Sequence, residues 1–382
     1  MKIPITKPYF DEEEKKAVCA VLDSGWVVQG SKVAEFERLI SEYVGVKFAK
    51  ASTSCTTSLH LALLALGIGK GDEVLVPSFT FIASANAIEY TGARPVFIDI
   101  DLNTFNIDTQ KVEACLERDK THSIKAIMPV HLFGLCADMK RIMELAREYH
   151  LFVIEDAACA LGSLYNGKHA GTFGDASCFS LHPRKIVTTG EGGMLTTNKL
   201  EIATNVERLR NHGATVSDKT RHDMGVSLLS DYDVLGWNYR MTDLQGAIGV
   251  VQMHKLSWII EKRVEKAKRY DEELKGLSWL KTPYVPDSYR HTYQSYVTLV
   301  QSNELRNQVM ATLAEKGIAT RQGTHAVHTL NYYKNKYNLK DEDYPNSLAV
   351  DRLSMTLPLY PQMTDDEQEY VIDNLLKLGE CA

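Results

Sequence analysis

Leu151-Phe152-Val153-Ile154-Glu155-Asp156-Ala157-Ala158 is the stretch that decides the fold. A short apolar run of this kind reads as a buried strand, and the two carboxylates mark where it leaves the core. Working outward, similar runs recur at 73–76, 95–98 and 124–129, with helical patterns between them at about 82–91, 109–118 and 138–149. A helix over 59–66 is stopped by Gly67, and a strand at 194–197 leads into a helix at 200–210. Alternation of this length predicts an α/β fold, a mostly parallel sheet with helices on both faces. In such sheets ligands gather at the C-terminal ends of the strands. Three segments fall there: Pro77-Ser-Phe-Thr-Phe81, Val130-His-Leu-Phe133 and the Glu155–Asp156 pair.

The flanks are simpler. Residues 1–10 read as an extended arm held open by Pro4 and Pro8. Acidic residues from Asp11 to Glu14 open a helix at its positive end, and Ser31 is the expected cap of the next one. Residues 211–233 are polar and contain glycine, the pattern of a long loop. Gly236-Trp-Asn-Tyr-Arg-Met-Thr-Asp243 then precedes a helix running to about Leu274, with Thr242 as its N-cap and Gln245 at capping-box spacing. A strand at 293–300 and a helix at 303–316 belong to a smaller α/β unit, which sets expected domains of 1–245 and 246–382.

At 382 residues the chain exceeds one ordinary core. With 44% hydrophobic and 24% charged residues it has the balance of a globular protein, and no apolar run reaches the length of a membrane span. The N-terminus lacks a signal-peptide pattern. A net charge of −6 without a basic cluster argues against a nucleic-acid surface. Seven scattered cysteines with no Cys-x-x-Cys pair favour free thiols in a reducing cytoplasm over disulfides or a zinc site.

Chemistry concentrates in Cys178-Phe-Ser-Leu-His-Pro-Arg-Lys185-Ile-Val-Thr-Thr-Gly-Glu-Gly-Gly193. A lysine in a partly dry setting beside tight-turn glycines can lose its proton and attack a carbonyl carbon. That is the chemistry of the lysine that tethers pyridoxal phosphate; a solvated surface lysine is the plainer alternative. The hydroxyl-rich run from Ala51 to Ser58 leads into a helix and suits an anion such as phosphate, or simply caps that helix. Asp156 needs a cationic partner, for which a pyridinium nitrogen is one candidate, or else it caps the following segment through Ala157 and Ala158.

Taken together, the Lys185 stretch, the Glu155–Ala158 strand end, Ser54-Cys-Thr56, Pro77–Phe81 and Trp237–Asp243 resemble the DegT/DnrJ/EryC1/StrS family of pyridoxal-phosphate-dependent sugar aminotransferases, within fold type I. The resemblance runs from Thr6-Lys-Pro-Tyr9 to Leu357-Pro-Leu-Tyr-Pro361. It implies a seven-stranded sheet and a set of roles. Lys185 is the tether and proton carrier, Asp156 faces the pyridine nitrogen, Phe81 stacks on the ring, and Thr56 and Ser180 bind phosphate. Asn238 reaches that phosphate from a neighbouring subunit, which implies a homodimer with shared active sites. Two positions depart from the family pattern. Cys55 stands where glycine is common, and Cys159 stands where Gln or His usually meets the cofactor's 3-hydroxyl; a thiol is a weak donor.

On the substrate side, the family takes an amino group from glutamate and places it on a keto-sugar, most often nucleotide-linked. Arg240 is the candidate for the diphosphate, with a structural salt bridge as the alternative. Trp26, His325 and His328 lie in segments that resemble the family's sugar-nucleotide contacts. The two histidines lack a third ligand nearby, so no metal site is assigned. His182 neighbours the lysine, which is itself present, and that favours amine transfer over the family's dehydratase branch. Amination of another ketone, such as a keto-inositol or a small phosphorylated ketone, stays open. A non-catalytic regulator would need a DNA-binding domain for which no pattern exists.

Overall fold

The computed structural model describes residues 1–216 and 230–379. Of the stretch read as a long loop, residues 217–229 lie outside the described residues. Seven strands make the main sheet: β1 (Phe48–Ser52), β2 (Glu73–Pro77), β3 (Arg94–Ile98), β4 (Ile124–Ile127), β5 (Phe152–Asp156), β6 (Ala176–Ser180) and β7 (Gly193–Thr197). Their order is β1-β7-β6-β5-β4-β2-β3. The pairings joining β3, β2, β4, β5 and β6 are parallel, while β7 runs antiparallel to both β6 and β1.

Period-two alternation sends neighbouring side chains of each strand to opposite faces. Val153 enters one core with Leu75, Ile127, Phe179 and Met194, and Ile154 enters the other with Val74, Val76, Ala126 and Cys178. The helix α1 (Glu12–Ser24) comes first in the chain, and the first core is covered by α2 (Ser31–Val44), α5 (Thr109–Arg118) and α6 (Met139–Glu148). The second core is covered by α3 (Cys55–Ala65), α4 (Ala83–Tyr90) and α7 (Leu200–Leu209). α3 starts four residues earlier than the expected 59–66, because Ser54 caps it and Thr57 completes a capping box.

One expected cap is wrong. α2 is preceded by Gly30, and Ser31 is already helical. Asp243 caps it instead, accepting from the N–H groups of Gly30 at 2.8 Å and Val33 at 2.9 Å. Sequence distance hid this carboxylate from any local reading.

The long helix α8 (Asp243–Leu274) joins two cores. Val250, Leu256 and Ile259 pack with the large sheet, Ala267, Tyr270 and Leu274 pack into a third cluster, and Val264 touches both. That third cluster surrounds a three-stranded antiparallel sheet of β8 (Leu280–Lys281), β9 (Tyr296–Val300) and β10 (Ser354–Leu357), with α9 (Asn303–Glu315) and α10 (Asp365–Gly379). The N-terminal arm joins it: Ile3 is buried there, and its N–H donates to Gly317 O at 2.8 Å. Among the described residues no helix is long and apolar enough to cross a membrane, and the six described cysteines are free thiols.

Candidate active site

Asp156 is the last residue of β5 and is 4% exposed. Its neighbour Glu155 points to the opposite face, where it accepts from the N–H groups of Gly171, Phe173 and Gly174 and from His131 Nε2. Glu155 thus ties down the loop behind the strand and leaves Asp156 to face the site. Asp156 Oδ2 accepts from Ser84 Oγ at 2.7 Å and Oδ1 from the Ala158 N–H at 3.1 Å. The Ala158 bond closes a turn; no helix starts there. Asp156 makes no ion pair among the described residues. Burial pushes its carboxyl above the usual range, against the hydrogen bonds from Ser84 and Ala158 and the nearby Lys185 charge.

Lys185 lies in the turn after β6, half-buried, and its Nζ donates to Cys159 Sγ at 3.1 Å. Cys159 therefore sits at the lysine. His182 shapes the same turn, its Nδ1 accepting from the Arg184 N–H at 3.2 Å, and burial lowers its pKa.

The residues expected at the phosphate end are brought together by sheet register. Ser180 pairs across to Gly193, and Gly193 pairs onward to Ser52, two residues before the cap of α3. A Cβ on Gly193 would meet Ser54 O at 2.2 Å, so only glycine lets the start of α3 pack against this row. Ser54 Oγ accepts from the Thr57 N–H, while the N–H groups of Cys55 and Thr56 have no acceptor among the described residues. The Cys55 side chain turns into the core, with its thiol on Cys178 O at 3.5 Å and its pKa raised by burial. Only its backbone N–H is left for a ligand. Phe81, between the short strand Phe79–Thr80 and α4, is 64% exposed.

These residues fit pyridoxal phosphate. A buried carboxylate makes no ion pair among the described residues, Ser84 links it to the carbonyl of the exposed Phe81, Lys185 is close by, and the open N–H groups at the start of α3 lie beside the row that holds Ser180. Helix N-termini and hydroxyls suit a phosphate dianion, and a buried carboxylate suits a pyridinium nitrogen. Ser84 was not singled out from sequence. Its only signal is a hydroxyl in the first turn of the helix after Phe81.

The substrate candidates divide. His325 is exposed and pairs with Thr80, beside Phe81. His328 is a correction: it is fully buried, with Nδ1 2.6 Å from Ser78 Oγ and its ring 4.6 Å from that of Tyr344. Burial lowers its pKa to about 4, and it has no surface to offer a substrate. Arg240 makes no salt bridge among the described residues; its Nη1 donates to Asn211 Oδ1 at 2.7 Å. Asn238 is exposed and bridges to Asn211. Trp26 is half-buried over Gly30, its Nε1 donating to Gln29 O at 3.3 Å, and the Asp243 cap couples its loop to the start of α8.

Residues 8–376 match the family described as the DegT/DnrJ/EryC1/StrS aminotransferase family. GDP-perosamine synthase of Caulobacter vibrioides is 39% identical over 97% of this chain and 96% of its own. The spore coat polysaccharide biosynthesis protein SpsC of Bacillus subtilis is also 39% identical, over 97% of this chain and 95% of its own. The solved PLP form of Spr1654 from Streptococcus pneumoniae superposes with a TM-score of 0.92 at 29% identity, covering 100% of this chain and 99% of that one. A match this complete makes the chain a pyridoxal-phosphate-dependent enzyme of the DegT/DnrJ/EryC1/StrS aminotransferase family.

Proposed function

We propose that this enzyme moves an amino group from glutamate to a keto-sugar carried on a nucleoside diphosphate, of the 4-keto-6-deoxy type, for amino-sugar and polysaccharide biosynthesis. The observation that carries the chemistry is Lys185 standing close to the buried Asp156, which makes no ion pair among the described residues, at the C-terminal edge of the sheet. The substrate class is supported by the names of two relatives of similar length, a GDP-perosamine synthase and a spore coat polysaccharide biosynthesis protein.

Bound pyridoxal phosphate supplies a carbonyl carbon for the amino group and a ring that takes up electrons from the reacting carbon. In this reading Asp156 keeps the ring nitrogen protonated, and Ser84 and the Ala158 N–H hold its carboxylate in place. Lys185 Nζ carries the proton between the substrate carbon and the cofactor's C4′. Phe81 covers the ring face. Thr56, Ser180 and the Cys55 N–H hold the phosphate. The two substrates use the site in turn, so ping-pong kinetics are expected. Asn238 completes the phosphate site from a second copy, which makes the working form a cytoplasmic homodimer; its exposure in the single chain supports this.

The purified enzyme should be coloured, bleach with glutamate and recover its colour with a 4-keto-6-deoxy nucleotide sugar. Lys185→Ala should lower turnover by about 10⁴-fold or more. Turnover retained in that variant would overturn the assignment of the lysine, and bleaching that no nucleotide keto-sugar reverses would overturn the substrate class.

A further inference from the structure

The short strand in front of Phe81 carries a hydroxyl that the chemistry above leaves unused. Thr80 is 1% exposed, and its Oγ1 lies 3.0 Å from Ser84 Oγ, its one hydrogen-bond partner among the described residues. Ser84 is equally buried and donates to Asp156 Oδ2 at 2.7 Å. The direction of this chain follows from counting protons. An ionised carboxylate only accepts, and a serine hydroxyl has one proton to give. When Ser84 gives that proton to Asp156, the bond between the two hydroxyls has to run from Thr80 to Ser84. Ser84 also has a competing acceptor in reach, the Phe81 carbonyl at 3.3 Å. Thr80 itself is held by a distant part of the chain. His325 and Ala326 pair antiparallel with Thr80 and Phe79, and the Val327 N–H donates to Ser78 O at 2.7 Å. The buried His328, with Nδ1 2.6 Å from Ser78 Oγ, anchors this ladder.

We propose that Thr80 is a positioning residue for Asp156: its hydroxyl donates to Ser84 and so commits the serine proton to the carboxylate. This rests on the reading above in which Asp156 meets the cofactor's ring nitrogen, and adds the residue that fixes the carboxylate's donor. A hydroxyl that receives a hydrogen bond gives a stronger one, and in a site without water nothing else replaces it. Removing the Thr80 hydroxyl frees Ser84 to turn its proton to Phe81 O, and Asp156 Oδ2 then loses its partner. Burial already disfavours the charged carboxylate, and the Ser84 bond opposes that. Without Thr80 the carboxylate therefore takes up a proton at higher pH, and the form that suits a pyridinium nitrogen is lost there. The titrating and charged neighbours of Asp156 are Lys185 on the lysine turn, His131 beyond β4, Cys55 on α3 and Cys178 on β6. Substitution of Thr80 leaves all four in place.

The test measures the affinity of the apoprotein for pyridoxal phosphate as a function of pH, in the wild type, Thr80→Val and Thr80→Ser. In Thr80→Val the acid limb of the profile should move up by about one pH unit, while the plateau above it stays within about twofold. Thr80→Ser restores the hydroxyl and should keep the wild-type limb. In a Ser84→Ala background, Thr80→Val should add no further shift, because its effect passes through Ser84. A cofactor analogue with C–H in place of the ring nitrogen should show no movement of its limb in any of these variants. An unmoved limb in Thr80→Val, a lowered plateau alone, or a shift that adds in full to that of Ser84→Ala would overturn the proposal. Failure of the underlying reading shows separately, as a wild type whose profiles for the cofactor and for the carbon analogue coincide.

Discussion

Asp156 shows how a site residue is held at a cost to the protein that carries it. Its carboxyl is buried, and its two hydrogen bonds do not offset the loss of water, so its pKa lies above the ordinary 3.8. The sign follows by linkage: a raised folded pKa gives stability that is complete below pH 3.8 and is lost as pH rises through the folded value. At neutral pH the buried carboxyl therefore costs the apoprotein stability, a cost that the proposed contact with the ring nitrogen would relieve. Asp156→Asn should raise the melting temperature of the apoprotein at pH 7 by about 2 °C and leave it unchanged at pH 3.5. The same variant should lower kcat/KM by about 10³-fold. A less stable apoprotein at pH 7 would refute this account. Cys55 and His328 teach the reverse lesson, since both side chains are turned into the core and only their neighbours are open to ligands.

At the scale of elements, the proposed phosphate cup depends on how closely α3 approaches β7. Gly193 has ordinary backbone torsions, so its requirement is spatial: a methyl group would overlap Ser54 O and the Cys55 N. The backbone cannot give way as a flexible side chain would. Gly193→Ala should destabilise the enzyme by about 2–3 kcal/mol and weaken cofactor binding at least tenfold, measured by thermal unfolding and cofactor titration. Normal affinity in a folded variant would show that the start of α3 does not hold the phosphate. Asp243 does comparable work for α2, capping a helix more than two hundred residues away. It fixes the Trp26–Gly30 loop to the Asn238–Arg240 segment, two stretches assigned to substrate or cofactor.

For the whole molecule, apolar side chains cluster in sequence around Asn238. Tyr232 is 58%, Val234 40% and Leu235 83% exposed. Side chains of this kind are costly to leave in water and mark an interface when they lie together. The proposed homodimer would cover them and deliver Asn238 to the partner's phosphate site. Leu235→Glu should shift the protein from dimer to monomer in sedimentation equilibrium and lower cofactor affinity about tenfold. A variant that stays dimeric with full affinity would place the interface elsewhere.

The strand–helix alternation made the parallel sheet legible without coordinates, because period two and period 3.6 are written locally into the chain. Lys185, Asp156, Phe81 and the Ser54–Thr56 helix start could be proposed for the site from sequence, since each sits in a contiguous motif at a strand or helix end. Ser84 behind Asp156, the Asp243 cap on α2, the burial of His328 and the pairing of Thr80 with His325 had no such signal. Those are contacts between segments far apart in sequence, and which ones form depends on how strands order themselves in the sheet and how the arm and small sheet close over it. Local pattern sets the elements; long-range packing alone decides which side chains lose their water together, and hence which are left waiting for a ligand.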